Sequence, residues 1–200
     1  MLDIKVLPHP HAFASNTYCL SSGGDVVIID PAAPYNEALV QGKVKYIILT
    51  HAHFDHMLDI DEWVEKTSAP VFVGQNDACA LSDSELNCYK LLTHREGGYF
   101  GKYQTLTEGD VLCFGDEKIT VISTPGHTPG SLCLLIGDSL FVGDTIFAGG
   151  GYGKCCFPGG DFSKIRNSIF RLTELCEDIK VYPGHGAPTT IKEYKKDFLR

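Results

Sequence analysis

The sequence predicts an α/β protein in which two β-sheets pack together and helices cover them. Short apolar runs bounded by Gly, Pro, Asn and Asp are typical of strands, and they fall into two groups along the chain, each with helical patterns nearby. A sheet or helix must bury its apolar face against another layer, so two groups of strands favour two packed sheets. The 200 residues are 44% hydrophobic and 21% charged, which predicts one domain over residues 1–200.

The N-terminal half contains the first group of strands. They are predicted at residues 4–7, 17–20, 26–29, 46–49 and 70–73. Helices are predicted at residues 35–41, 59–66, 78–81 and 85–92. The second of these rests on Ile60, Trp63 and Val64, which share one helical face. Residues 76–105 carry no strong motif, and we expect them to form variable, substrate-facing structure in which Tyr99 and Tyr103 line the pocket.

The second group of strands repeats this arrangement in the C-terminal half. Strands are predicted at residues 110–114, 118–123, 131–136, 139–142 and 179–182. An apolar stripe at Phe162, Ile165, Ile169 and Leu172 predicts a helix with Asp161 as its N-cap. A last helix is predicted at residues 191–199.

The composition restricts the expected cellular location and the expected binding partners of the protein. The formal net charge of −8 argues against broad binding to nucleic acid or anionic membranes, which relies on clustered Lys and Arg. The sequence has neither an 18-residue apolar run nor a signal-peptide pattern, so we expect a cytoplasmic protein. Most of the eight cysteines, including Cys113 and Cys133, are expected to be small buried residues in a reducing compartment.

The segment 50–56, THAHFDH, concentrates candidate metal ligands after a predicted buried strand. His51 and His53 are two residues apart, so both can point to one side of an extended turn. Asp55 and His56 can then point to a neighbouring site. Imidazole and carboxylate are the ligands that hold Zn(II), Mn(II) or Fe(II) while leaving positions open for water. Two metals need further ligands from elsewhere in the chain.

Three other loops offer such ligands. His127, Asp144 and His185 each follow a predicted strand and sit beside glycine, which lets the backbone turn sharply and leaves room for ions. Together these loops predict a metal centre more strongly than any one histidine does. His9, His11 and His94 lack such surroundings and are not expected to be ligands.

Four motifs together resemble the metallo-β-lactamase fold superfamily. They are H-x-H-x-D-H at 51–56, G-H-T-P-G-S at 126–131, G-D-T at 143–145 and P-G-H-G at 183–186. The resemblance runs from about Asn16 to Thr190 and implies a four-layer αββα sandwich, with two mixed sheets flanked by helices.

The resemblance also implies a ligand set and a reaction. His51, His53 and His127 would bind the first of two divalent metal ions, and Asp55, His56 and His185 the second, with Asp144 bridging. Zinc is favoured, with iron or manganese as alternatives. A hydroxide bridging the ions would attack a carbonyl carbon, and Asp55 would orient it. Cys155 and Cys156 are then poor candidates for covalent catalysis.

Within the superfamily, the sequence most resembles short glyoxalase II-like (hydroxyacylglutathione hydrolase-like) proteins. The matching segments are 143–149, 153–154, 157–161 and 182–191. This implies hydrolysis of a small thioester, with Lys154 contacting the substrate. The separate C-terminal helical domain of full glyoxalase II proteins is not expected here. β-Lactamases usually carry cysteine at the position of Asp144, and flavodiiron proteins carry glutamate at that of His53, so both are disfavoured.

Three other functions remain open at this point. A persulfide dioxygenase-like oxidoreductase would use one Fe(II) held by His51 or His53 with His127 and Asp144. A ribonuclease Z-type phosphodiesterase shares the H-x-H-x-D-H motif, but the acidic charge and the lack of an inserted arm disfavour it. A non-enzymatic metal-binding protein is the weakest alternative, because the predicted ligand set leaves a position open for a catalytic water. The expected partner is a small thioester, and the oligomeric state is not predicted.

Overall fold

The computed structural model describes residues 1–10 and 13–199, and His11 lies outside them. The strands are β1 (Asp3–Leu7), β2 (Thr17–Ser22), β3 (Asp25–Ile29), β4 (Lys43–Ile48), β5 (Val71–Gly74), β6 (Tyr103–Leu106), β7 (Val111–Phe114), β8 (Glu117–Ser123), β9 (Leu132–Ile136), β10 (Ser139–Gly143), β11 (Lys180–Pro183) and β12 (Thr189–Thr190). The α-helices are α1 (Ile60–Thr67), α2 (Tyr89–Thr93), α3 (Phe162–Thr173) and α4 (Ile191–Phe198). Short 3-10 helices cover Phe54–His56, Gln75–Ser82 and Ala148–Gly150.

The two predicted groups of strands form two mixed sheets of six strands each. The first has the order β1-β2-β3-β4-β5-β6 and the second the order β12-β11-β10-β9-β8-β7. β3, β4, β5 and β6 run parallel, as do β10 and β11, while the other neighbours are antiparallel. The sheets and their flanking helices confirm the predicted four-layer αββα sandwich.

Alternation along the strands produces three apolar layers. On β3, Val27 and Ile29 pack between the two sheets, whereas Val26 and Ile28 face the layer that contains α1. On β10, Phe141 packs between the sheets. The outer layer of the second sheet contains buried residues of α3 and α4. Both faces of each sheet are thus covered, which explains the nearly continuous apolar runs in the sequence.

The prediction of a helix at residues 35–41 is wrong, because this segment forms a turn. The Asn36 side chain accepts a hydrogen bond from the Ala38 amide at 3.0 Å. Such side-chain bonds give the backbone an alternative to helix. The N-cap prediction is confirmed, since the Asp161 carboxylate accepts from the Lys164 amide at the start of α3.

The segment 76–105 is more ordered than predicted. Residues 78–81 lie inside the 3-10 helix Gln75–Ser82, and α2 covers only the end of the helix predicted at 85–92. β6 was not predicted, nor was β12, which has only two residues. The residues of β6 do not alternate between buried and exposed positions, because β6 lies at a sheet edge, where three of its four residues are exposed.

The prediction for the cysteines is wrong in part. Cys133 is buried as expected, but Cys113 is exposed on the edge strand β7, where the neighbouring Phe114 fills the core instead. Only Cys19, Cys88 and Cys133 are buried among the eight, and all eight thiols are free. In the described ranges, 1–10 and 13–199, no helix is both long and apolar enough to span a membrane.

Trp63 provides a test of the packing beneath the first sheet. It is fully buried in α1, and its indole N–H donates to the Ala33 carbonyl at 2.7 Å. We expect Trp63→Ala to lower the free energy of unfolding by about 3–5 kcal/mol, measured by urea denaturation, because it opens a cavity and orphans that carbonyl. Phe100→Ala, at a 76% exposed side chain, should change it by less than about 0.5 kcal/mol. Similar losses in both variants would contradict this packing.

Candidate metal centre

The predicted ligand residues meet where four strands end. His51, His53, Asp55 and His56 follow β4, and the other three residues follow β8, β10 and β11. Each of those strands points its carboxyl end toward the same edge of the sandwich, because β8, β10 and β11 run in one direction within the second sheet. All seven predicted residues are therefore brought together in one cleft.

The first cluster consists of three buried imidazoles. His51 Nε2 lies 3.1 Å from His53 Nδ1 and 3.2 Å from His127 Nε2, and the last two atoms are 2.9 Å apart. A tetrahedral zinc site with bonds of about 2.0–2.1 Å has ligand-to-ligand edges of about 3.3–3.4 Å. The three nitrogens thus form a triangle close to one face of such a site.

Hydrogen bonds at the outer ring nitrogens determine which nitrogens face inward unprotonated. His127 Nδ1 donates to the Lys154 carbonyl at 2.9 Å. His51 Nδ1 lies 3.2 Å from the Thr50 hydroxyl, which itself donates to Asp30 and so can accept from His51. A ring nitrogen that donates outward leaves the other one with a free lone pair. His51 and His127 therefore both direct Nε2 lone pairs at the centre of the cluster.

The second cluster consists of Asp55, His56 and His185. His185 Nε2 is 3.1 Å from Asp55 Oδ2, and His56 Nε2 is 4.0 Å from the same oxygen. Asp144 lies between the clusters. Its Oδ1 is 3.4 Å from His56 Nε2, and its Oδ2 is 3.7 Å from both His127 Nε2 and His185 Nε2. One carboxylate thus faces both clusters.

Asp30 orients the second cluster and was missed by the sequence prediction. It follows β3 in the left-handed backbone region, with φ 52°, and it is 1% exposed. Its Oδ2 accepts from His56 Nδ1 at 2.8 Å, and both its oxygens accept from Thr50. His56 therefore directs an unprotonated Nε2 at the cluster when neutral. An acid directly after a buried strand, as at Asp144, was the signal available in the sequence.

The atoms of the centre fit divalent ions. His56 Nε2 and Asp144 Oδ1 are buried without a hydrogen-bond partner in the described part of the chain. Buried polar groups nearly always have partners, and these two atoms face each other at 3.4 Å, so they fit a shared ligand between them. A Cβ at Gly184 would clash with both Asp144 and His56, so only glycine keeps this space open. Histidine nitrogens with carboxylate oxygens suit zinc, iron or manganese.

The pKa values of the centre differ between the two clusters. Burial, followed by the neighbouring histidines, lowers the pKa of His51 well below its usual range and that of His53 to about 3. Burial also lowers the pKa of His127. Burial opposes a charge on His56 as well, but the carboxylates of Asp30 and Asp144 outweigh it and hold the pKa of His56 well above its usual value. The first cluster therefore presents neutral imidazoles, the form that binds metal.

The carboxylates remain charged despite their burial. Burial raises the pKa of Asp55, but the hydrogen bond from His185 and the charge of His56 outweigh this and lower it overall. The pKa of Asp144 is likewise lowered, because His56 more than offsets the effect of burial. Both residues therefore offer anionic oxygens at neutral pH.

The cleft above the two clusters has a volume of about 350 Å³. Its walls outside the clusters are Cys88, Leu92, Phe147, Tyr152, Gly153, Lys154 and Phe157. Lys154 lines this cleft, with its Nζ 5.9 Å from the centre of the Phe157 ring. The apolar walls were not predicted, because their residues carry no motif of their own.

The prediction that Tyr99 and Tyr103 line this cleft is wrong. Tyr99 is 3% exposed in the core layer beneath the first sheet, and its hydroxyl donates to the Lys102 carbonyl. Tyr103 is 45% exposed on the edge strand β6. From the segment 76–105, Cys88 and Leu92 reach the cleft instead.

The depressed pKa values of the first cluster predict acid sensitivity of the metal-free protein. Below about pH 6.5 the unfolded chain protonates His51, His53 and His127, whereas the folded state holds them neutral. The free energy of unfolding should therefore fall as the pH drops from about 6.5 toward 4. His56, with its raised pKa, is protonated in the folded state throughout, so it opposes this fall only near pH 6.5 and adds no slope below about pH 5.5.

His53→Gln tests this pH dependence. Urea denaturation in chelator between pH 6 and 4 should show a slope smaller by up to about 1.4 kcal/mol per pH unit, since one proton uptake is removed. An unchanged slope would contradict the assignment of His53 as neutral and desolvated.

Comparisons with known proteins agree with this geometry. Residues 12–185 match the family model of the metallo-beta-lactamase superfamily. The chain is 33% identical over 192 residues to the probable metallo-hydrolase YqgX of Bacillus subtilis, covering 88% of this chain and 87% of that one. It is 32% identical over 164 residues to a hydroxyacylglutathione hydrolase of Idiomarina loihiensis, covering 80% of this chain but 56% of that protein.

Solved structures show the same fold over nearly the whole chain. BLEG-1 B3 metallo-beta-lactamase superposes with a TM-score of 0.86 at 31% identity, covering 98% of this chain and 97% of that one. TTHA1623 in a di-iron-bound form superposes with a TM-score of 0.81 at 27% identity, covering 98% of both chains. On the family match, the sandwich and the paired His/Asp clusters, this chain belongs to the metallo-beta-lactamase superfamily.

Proposed function

We propose that this chain is a dinuclear metal-dependent hydrolase of a small thioester. The observation that supports this most is the pair of ligand clusters on either side of Asp144, each with three candidate ligands. Superfamily membership and the names of the relatives indicate metal-dependent hydrolysis in general. The similarity to a hydroxyacylglutathione hydrolase supports the thioester.

In this proposal His51, His53 and His127 hold the first ion, and Asp55, His56 and His185 hold the second. Asp144 would contact both ions, because its Oδ1 lies near His56 and its Oδ2 lies near both His127 and His185. Two divalent ions would supply a water of lowered pKa and a Lewis acid for the carbonyl oxygen. Zinc is the ion we favour, and iron is the main alternative, since TTHA1623 was solved in a di-iron-bound form.

The remaining groups of the cleft position the substrate and the attacking water. Asp55 stays ionised, so its carboxylate can accept a hydrogen bond from that water and orient it. The walls of Leu92, Phe147 and Tyr152 exclude water from the acyl group, and Lys154 offers a cation to an anionic substituent. Displacing a thiolate from the carbonyl carbon then requires no protein nucleophile.

The cleft thiol is poorly suited to covalent catalysis. Burial raises the pKa of Cys88 to about 11, and the negative charges of Asp55 and Cys156 add to this effect. The thiolate is the nucleophilic form, so Cys88 is unreactive at neutral pH. All eight thiols are free, as expected in a reducing compartment, so we propose that the activity is cytoplasmic.

A persulfide dioxygenase-like reaction on one Fe(II) is the second candidate. It is favoured by the position of Asp144 Oδ2 at 3.7 Å from His127 Nε2, which allows a two-histidine, one-carboxylate set with His51 or His53. The second cluster would then have no role, although Asp30 orients it. One iron per chain, with oxygen uptake on a persulfide and no thioester hydrolysis, would establish this function in place of the hydrolase.

Asp55→Asn tests the hydrolase directly. Metal analysis of the wild type should find two ions per chain, and at saturating zinc the variant should lose roughly 100-fold or more of kcat on a thioester such as S-lactoylglutathione. The physical reason is that an amide is uncharged and orients the water poorly. Asp116→Asn, in an exposed turn, is the matched control and should retain full activity. Full activity in Asp55→Asn would show that the site is wrongly assigned.

Lys154→Met tests recognition of an anionic substituent. The carbonyl of residue 154 still accepts from His127 in this variant, so the metal centre should be intact. For a thioester that carries a carboxylate we expect KM to rise about 10-fold, because one charge-assisted hydrogen bond is lost. For a neutral thioester we expect little change in KM. Lys118→Met, on an exposed part of β8, is the control. Equal effects on charged and neutral thioesters would contradict this role.

A further inference from the structure

Asp77 is a buried carboxylate that neither the sequence motifs nor the proposed reaction uses. It lies in the 3-10 helix Gln75–Ser82 after β5, and it is 1% exposed. Its Oδ2 accepts from the Ala52 amide at 3.1 Å and from the Thr128 hydroxyl at 2.7 Å. Its Oδ1 accepts from the Gly130 amide at 2.6 Å. Both oxygens are thus bonded to groups from two separate loops.

These two loops carry the whole first cluster. Ala52 stands between His51 and His53, and Thr128 directly follows His127. A shift of either loop changes the triangle of ring nitrogens, whose edges are only 2.9–3.2 Å. Asp77 is therefore connected through the backbone to each histidine of that triangle.

The contact between Asp77 and the His127 loop is close. A Cβ at Gly130 would clash with the Asp77 amide and approach its carboxylate to 2.7 Å. A Cβ at Gly74 would clash with the Gly130 carbonyl. The pair of glycines lets the end of β5 lie directly against this loop, so the carboxylate reaches both donors without an intervening water.

The second cluster has a different support. Asp30 bonds His56 directly, and the His185 loop is held from the N-terminal side by Asn16, which donates to the carbonyls of Pro183 and Gly186. None of the described hydrogen bonds of the Asp77 side chain reaches Asp55, His56 or His185. The ligands of the second cluster are thus oriented by Asp30 and Asn16 and have no direct bond to Asp77.

We propose that Asp77 is a positioning residue that sets the metal affinity of the first site and has at most a small effect on that of the second. The inference relies on the proposed function for the ligand sets of the two sites. A carboxylate suits this position because three donors converge on two acceptor oxygens. Asparagine has one acceptor oxygen, and its amide would face either the Ala52 or the Gly130 N–H, so one loop must move.

Variants that keep only one of the two metal sites test the effect of Asp77 on each site separately. His185→Ala should leave the first site as the one tight site, and His127→Ala should leave the second. Zinc affinity is then measured by competition with a chromophoric chelator. Adding Asp77→Asn should weaken zinc binding roughly 10- to 100-fold in the His185→Ala background, the range typical for groups that orient metal ligands, and less than about 2-fold in the His127→Ala background.

Asp30→Asn is the matched control, since it also converts a buried carboxylate to an amide. It should weaken zinc binding in the His127→Ala background, where Asp77→Asn has little effect, because it alters the carboxylate that accepts from His56 Nδ1. If Asp77→Asn does not fold, judged by circular dichroism of the metal-free protein, Thr128→Val removes one of the three donors. It should give a smaller loss, about 3-fold, again only at the first site.

The outcomes separate this inference from the proposed function. If His127→Ala and His185→Ala do not each remove one equivalent of zinc, the dinuclear assignment fails. If each removes one equivalent but Asp77→Asn weakens both sites equally or neither, the positioning role is overturned. A loss confined to the first site supports it.

Discussion

The mutual repulsion of lone pairs and negative charges in one cleft is the constraint on which the rest of this structure depends. Three imidazole nitrogens face one another at 2.9–3.2 Å, and the carboxylate of Asp144 lies between them and the second cluster. Burial alone would disfavour such an arrangement, because it removes polar atoms from bulk water. Bound cations remove the repulsion, and the fold must hold the ligands together until they arrive.

The fold meets this requirement with groups outside the ligand set. Asp30 and the Lys154 carbonyl accept from the outer ring nitrogens of His56 and His127, so the Nε2 atoms of both rings face inward. Asp77 ties together the loops of the first cluster. These groups lie at the ends of strands whose own positions are fixed by the three apolar layers. The precision of the centre therefore comes from the sandwich as a whole and from short hydrogen bonds at its edge.

Much of this could be predicted from the sequence, and the reasons for the failures are physical. Strands with both faces buried, such as β3 and β10, are evident as apolar runs, and the ligands stand in compact motifs. β6 was missed because its exposed edge residues form no apolar run, and Cys113 was misjudged because an edge strand exposes a residue that a propensity pattern assigns to the core. Asp77 was missed because a single acid in a weakly patterned segment looks like any solvated residue. Its role depends on Ala52 and Gly130, which are distant in sequence, so only the tertiary structure shows it.

The central claim is that two ions occupy adjacent sites joined by Asp144. A crystal structure of the zinc-loaded protein with anomalous scattering at the metal edge measures this most directly. The account predicts two peaks about 3.5–4 Å apart. One should be bound by His51, His53 and His127, the other by Asp55, His56 and His185, with Asp144 contacting both. A single peak at full metal loading, with the second cluster empty, would contradict it.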